Sequence, residues 1–171
     1  MKKKLFIVLS VVLVLLISFG MLIGCSESLG DKIGEATISI ECKTILNNME
    51  KAEQGLIDNN LIPNDGIILE KVGVSIYEKD NVYTMLKRVC KQNKIHLHCD
   101  FEPVFKTYYI KGINHIYEMS VGESSGWMYF VNNEQPNQGA SLVKVANGDE
   151  IRFAYTVIAG DLQWIWKEKI Q

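Results

Sequence analysis

The chain is short of positive charge and of any recognisable catalytic signature. Lys and Arg number 18 against 20 acidic residues, a formal net charge of −2 over 171 residues. A nucleic-acid binder would carry a clustered basic face, so that class is argued against. No Gly-x-Ser-x-Gly elbow, His-Glu-x-x-His pair or phosphate-cradling glycine loop occurs, so no catalytic residue is assigned and an enzyme is not expected. Internal repeats and low-complexity segments are also missing, which excludes solenoid and fibrous architectures. Histidine is scarce, and the three residues that invite a metal reading, His96, His98 and Cys99, fail on geometry. Alternation along a strand puts both imidazoles on one face and Cys99 on the other, so no metal ligand is assigned. His115 reads as a strand-end or loop residue bonded to backbone.

What is present first is a front end with an address. Lys2, Lys3 and Lys4 precede a nearly unbroken apolar run from Leu5 to Ile23, the order of a basic n-region and a hydrophobic h-region. The run is also long enough to be a transmembrane anchor. Its end, Leu22-Ile23-Gly24-Cys25, resembles the lipobox of bacterial lipoproteins and favours the signal. That resemblance implies a signal peptide over residues 1–24, acyl chains on Cys25, and an extracytoplasmic chain held to the cell membrane. Residues 25–35 then form a tether of serine, glycine and charged residues. Loss of the signal removes three lysines and no acids, taking the formal charge from −2 to −5.

About 135 residues remain, enough for one compact domain over residues 36–171. Of the remaining cysteines, Cys42, Cys90 and Cys99, at most one pair can close a disulfide within the chain. Each also stands where an apolar residue would fit, and three buried thiols are an equal alternative.

Apolar and polar residues alternate over Ala36–Thr44 and again over Ile67–Tyr77, predicting two half-buried strands. Between them Ile45–Asn60 is a polar surface helix or irregular connection, and Pro63-Asn64-Asp65-Gly66 is a turn. Val82, Leu86, Val89 and Cys90 recur at i, i+4, i+7 and i+8, predicting a helix of about three turns capped by Asp80 or Asn81. Strands are then expected at Ile95–Glu102, Thr107–Ile110, His115–Met119, Gly126–Asn132, Leu142–Val145 and Glu150–Thr156, with Asn147-Gly148-Asp149 as a tight turn. The order of elements predicts an α+β fold, a β-grasp-like mixed sheet with one main helix packed across it. Leu162-Gln163-Trp164-Ile165-Trp166 is either an added edge strand or a tail.

The chain is organised around Gly126-Trp127-Met128-Tyr129-Phe130-Val131-Asn132. Trp127, Tyr129 and Val131 fall on one face and Met128 and Phe130 on the other. Two apolar faces predict a central strand, with the Trp127 face either buried or offered to a ligand. As a ligand surface, Trp127 and Tyr129 would press on a planar molecule, with Asn132, Asn137, Gln138 and the flexible backbone at Gly139 supplying hydrogen bonds at the rim. Glu123-Ser124-Ser125 is the polar loop before the strand.

Ser125–Asn132, Pro136-Asn137-Gln138-Gly139-Ala140, Asn147–Ile151 with Tyr155-Thr156, and the earlier Ile38–Leu46 and Ile110–Glu118 together resemble the bacterial family related to the transcobalamin C-terminal domain. The resemblance covers most of Ala36–Thr156. It implies a small β-grasp-like fold and participation in binding cobalamin or a related corrinoid, with the Asn-Gln-Gly turn beside the ligand. In the two-domain carriers, this domain closes over a corrinoid held mainly by a separate helical barrel. This chain departs from the pattern after Thr156, where Val157–Leu162 stands in place of a Cys-Asp-Leu-Gly-like segment. Two expectations follow. The first is a non-enzymatic, lipid-anchored module that captures a small molecule or serves a transporter as an uptake accessory. The second is a cell-surface domain that docks protein or cell-wall polymer through strand edges or the Gln135–Gly139 loop.

Overall fold

The computed structural model describes residues 29–158 and 160–162. Cys25, the signal and most of Leu162–Trp166 lie outside the described residues. The sequence alternation becomes β1 (Lys32–Glu41) and β2 (Ile67–Tyr77), an antiparallel pair. Strand β1 starts at Lys32, within the stretch expected to be tether. Three short helical pieces join the pair: α1 (Lys43–Leu46), a 3-10 turn (Met49–Lys51) and α2 (Gln54–Asp58). The main helix α3 (Val82–Gln92) follows, then β3 (Leu97–Glu102), β4 (Thr107–Ile113), the two-residue β5 (Ile116–Tyr117), β6 (Gly126–Val131) and β7 (Glu150–Thr156).

These strands form two sheets. One has the order β2-β1-β7-β6 and the other β3-β4-β5. The first is mixed, because β1 runs parallel to β7 while the remaining pairs are antiparallel. The expected α+β class with one main helix against sheet is therefore what the chain adopts, with two sheets in place of one.

Helix α3 forms where its stripe and its cap coincide. The Asn81 side chain accepts from Thr84 N at 2.9 Å and Thr84 Oγ1 accepts from Asn81 N at 2.9 Å, a reciprocal cap that satisfies two otherwise free donors. Its buried face, Val82, Met85, Leu86 and Val89, packs on Ile38 and Ile40 of β1, Ile76 of β2 and Phe153 of β7. Burying each such side chain contributes about 1.5–3 kcal/mol. Asp80, just before the cap, is buried and accepts from both terminal nitrogens of Arg88, at 2.7 and 2.8 Å, and from Tyr77 N at 2.9 Å. Burial pushes the Asp80 carboxyl up, but Arg88, Tyr77 N–H and Thr84 outweigh it and hold the carboxyl below its usual range.

Two sequence expectations are corrected here. Strand β6 is at the edge of its sheet, not the centre; β1 and β7 are the central strands. Its two apolar faces are nevertheless both used: Trp127, Tyr129 and Val131 pack toward the main core, while Met128 and Phe130 meet Ala154 and Leu162 behind the sheet. Secondly, Leu142–Val145 is not a strand. The stretch serves α3 instead: Val143 O accepts from Val82 N at 3.0 Å, and Ala140 O, just ahead of the segment, accepts from Tyr83 N at 3.1 Å. Those are donors of the first helical turn, which have no partner inside the helix.

The three described cysteines are free thiols, with Cys42 and Cys90 buried and Cys99 partly so. Burial pushes Cys42 and Cys90 up to about 12 and Cys99 up to about 11.

Candidate functional site

An apolar cavity of about 460 Å³ lies between the outer edge of β6 and the β3–β4 hairpin. Its walls are aromatic: Trp127 and Tyr129 on one side, Phe105, Tyr108 and Tyr109 on the other, with Gln135, Pro136, Gln138 and Gly139 along the rim. A cavity of this size falls in the range of about 300–1,000 Å³ typical of small-molecule sites.

Each wall is positioned by identifiable contacts. The Trp127 indole N–H donates to Ile116 O at 2.8 Å, and its ring meets Tyr155 edge-on at 5.3 Å. Tyr155 is fully buried and held from both sides, its hydroxyl donating to Tyr117 O at 2.6 Å and paired with Ser125 Oγ at 2.8 Å. Its burial pushes the phenol up to about 12. Ser125 Oγ also accepts from Val121 N, so this serine braces the loop under Trp127. The Tyr129 hydroxyl donates to Gln138 O at 2.5 Å, which ties the rim loop to β6, and burial pushes this phenol up as well. On the opposite wall Tyr108 stacks on Tyr83 of α3 with centroids 4.2 Å apart and planes 7° from parallel. Tyr109 donates its hydroxyl to Glu118 at 2.6 Å.

Gly139 is where the rim loop meets β4. A Cβ there would stand 2.1 Å from Thr107 Oγ1 and 2.5 Å from Thr107 Cβ, so only glycine lets the loop lie this close. Thr107 Oγ1 is 2.7 Å from Ser141 Oγ, which closes the junction.

Of the six ligand candidates read from the sequence, the structure brings Trp127, Tyr129, Gln138 and Gly139 together in one cavity wall. Asn137 is exposed on the same loop, outside that wall. Asn132 is committed elsewhere: its amide donates to Asp149 Oδ1 at 2.8 Å and accepts from Glu150 N at 2.9 Å. Both Asn132 and Asn133 have positive φ, 52° and 67°, the conformation asparagine tolerates in a tight turn. The opposite wall was missed. Phe101, Phe105, Tyr108 and Tyr109 crowd a hairpin whose tip is otherwise turn-like, and that density of exposed aromatics is the signal that could have revealed it.

The histidines form a separate cluster. His96 stacks on His115 at 4.1 Å with planes 17° apart, and burial, His115 and His98 lower its pKa. Cys99 is not with them and lines a cleft with Tyr83, Lys87 and Cys90. Among the described residues no group of three or more metal-ligating side chains converges, and no helix is long and apolar enough to cross a membrane.

Residues 80–157 match a family model described as Domain of unknown function (DUF4430), a stretch running from the cap of α3 through β7 and including both walls of the cavity. No curated protein matches the chain in sequence. Among solved structures it is similar to haptocorrin crystallised in complex with Cbi, with a TM-score of 0.50 and 13% identity over 78% of this chain. The match spans 28% of the haptocorrin chain, and at that identity the likeness is one of fold. It is also similar, with a TM-score of 0.42 and 11% identity, to a protein from Ruminococcus gnavus ATCC 29149 provisionally described as metal binding, over 72% of this chain and 97% of that one.

Proposed function

We propose that the chain is a non-enzymatic binding module, held outside the cytoplasm by acyl chains on Cys25, that captures a small molecule in the cavity between β6 and the β3–β4 hairpin. The cavity itself carries the proposal: two aromatic walls braced from behind, a polar rim, and a volume suited to a small ligand. Trp127 and Tyr129 supply flat apolar contact on one side, and Phe105 and Tyr109 on the other. Gln138 and Gly139 offer polar groups at the mouth, and Asn137 is exposed on the same loop. Asn132 acts at one remove, by holding the turn from which that loop starts. A corrinoid is the first ligand to test, since the sequence resembles the transcobalamin C-terminal family and the fold is shared with haptocorrin, solved with Cbi bound.

The test is equilibrium titration of the detergent-solubilised full chain with cobalamin and cobinamide, following tryptophan fluorescence. Saturable binding that is weakened by Trp127→Ala supports the corrinoid version. No binding up to the millimolar range by a folded protein removes it.

One observation favours docking to protein or cell-wall polymer instead. At the hairpin tip Val104 and Phe105 are 82% and 71% exposed, an apolar surface that water does not favour. Val104→Ser, at a tip residue outside the cavity lining, would weaken retention on purified cell wall or surface protein if the tip is the contact, and leave small-molecule binding through Trp127 in place.

A further inference from the structure

Among the described residues, the cavity opens along a strand edge that no ladder covers. Strand β6 is the last strand of its sheet there, laddered to β7 and bridged on its outer side at Val131–Glu134. Asn132 N donates to Glu150 O across that pair, so Asn132, Phe130 and Met128 direct their backbone polar groups toward β7. Residues of the other phase direct theirs outward. Val131 demonstrates it, its N–H donating to Glu134 O on the far side from β7. By the same alternation the N–H and C=O groups of Trp127 and Tyr129 face the cavity. Two such residues, one residue apart, present the donor and acceptor spacing of a β-ladder. On the facing wall, Tyr108 N–H is already taken by Ser141 Oγ at 3.3 Å, so β6 is the edge on offer.

The charge of the lining is equally particular. Among the residues that line the cavity, Glu102 carries the only charge; the nearby cation Lys111 lies outside the lining and is paired with Asp100 at 2.7 Å.

We propose that the ligand of this cavity is a short peptide, bound extended as an added strand on β6, with a cationic group at Glu102. The inference rests on the cavity being the binding site proposed above and names the ligand class. Apolar side chains of such a peptide enter between the aromatic walls, its amides pair with Trp127 and Tyr129, and its free amino terminus or a basic side chain meets the Glu102 carboxylate. This is strand addition at a sheet edge, in which backbone pairing supplies affinity and side-chain pockets supply selectivity.

The test uses the detergent-solubilised full chain and a free-amine tetrapeptide amide of alternating valine and threonine, with its acetylated and singly N-methylated forms. The expected result is binding that falls at least tenfold when alternate amides of one phase are methylated and changes little for the other phase. Glu102→Gln is expected to weaken the free-amine peptide about tenfold and leave the acetylated form unchanged. Equal binding of every methylated form overturns strand addition, and no effect of Glu102→Gln overturns the cation assignment. Saturable binding of cobinamide or an anilinonaphthalene sulfonate dye, sensitive to Trp127→Ala, with no peptide bound at millimolar concentration, overturns this inference and leaves the small-molecule site standing. Failure of all these ligands to bind a folded chain overturns both.

Discussion

Gly139→Ala puts a methyl group where β4 already is. Its Cβ would lie 2.1, 2.4 and 2.5 Å from Oγ1, Cγ2 and Cβ of Thr107. Rotation of the threonine brings no relief, because its own Cβ is among the clashing atoms, so the backbone of the rim loop has to retreat by roughly 1 Å. Three consequences add. Overpacking strain costs about 1–3 kcal/mol. The Thr107–Ser141 and Tyr129–Gln138 hydrogen bonds lengthen, each with about 1 kcal/mol at stake. The expected loss is therefore about 2–4 kcal/mol, from a total of about 5–15 kcal/mol for a domain of this kind. With a urea m-value of about 2 kcal/mol/M, the middle of the usual range, the unfolding midpoint falls by about 1–2 M. Gly73→Ala is the control, since Gly73 is an exposed position on β2 with nothing within 4 Å of an added Cβ. It is expected to stay within about 0.5 kcal/mol of the parent. Gly139→Ala also moves Gln138 and widens the junction at Thr107, so ligand affinity at the cavity falls together with stability. Equal midpoints for the two variants, with binding unchanged, would refute the claim that Gly139 holds the rim against β4.

Three further outcomes are expected. Asp80→Ala leaves the Arg88 guanidinium without its buried partner and costs about 3–5 kcal/mol in denaturant unfolding. Because the folded Asp80 carboxyl is held below its usual value, its contribution is full above the unfolded pKa of about 4 and is lost as pH falls through the folded value. An Asp80→Asn variant should flatten that part of the acid-unfolding curve, and an unchanged curve would count against the Arg88 pairing. Iodoacetamide at pH 8 should modify Cys99 before Cys42 and Cys90, since Cys99 is the most accessible and least raised of the three; peptide mapping by mass spectrometry that finds Cys42 first would contradict the packing. Cys25→Ser should abolish incorporation of labelled palmitate while the domain keeps its circular dichroism spectrum, and lipid found on that variant would dispose of the proposed anchor.

The transcobalamin-like segments quoted from the sequence lie in β1 and α1, along β4 and β5, and from β6 through its loop into β7, so the resemblance takes in the Trp127–Tyr129 wall and the rim loop and touches the opposite wall only at Ile110. Part of it falls within residues 80–157, where the DUF4430 model matches.

Local order was legible wherever a period and its punctuation coincided. The stripe of Val82, Leu86, Val89 and Cys90 behind Asn81 specified α3, and alternation specified β2, β7 and most of β1. Trp127 and Tyr129 were legible as a shared face for the same reason. Periodicity reports which side of a residue is buried, however, and is silent about what lies alongside. The two-faced pattern of β6 therefore suited a central strand as well as an edge strand, and only the parallel docking of β1 on β7 decided that β6 would be outermost. Leu142–Val145 reads as a strand locally, yet its Val143 carbonyl was claimed by the free Val82 donor of α3. The cavity belongs wholly to tertiary structure, because its second wall comes from the β3–β4 hairpin, which only the packing of Tyr108 on Tyr83 and of Gly139 on Thr107 brings opposite Trp127.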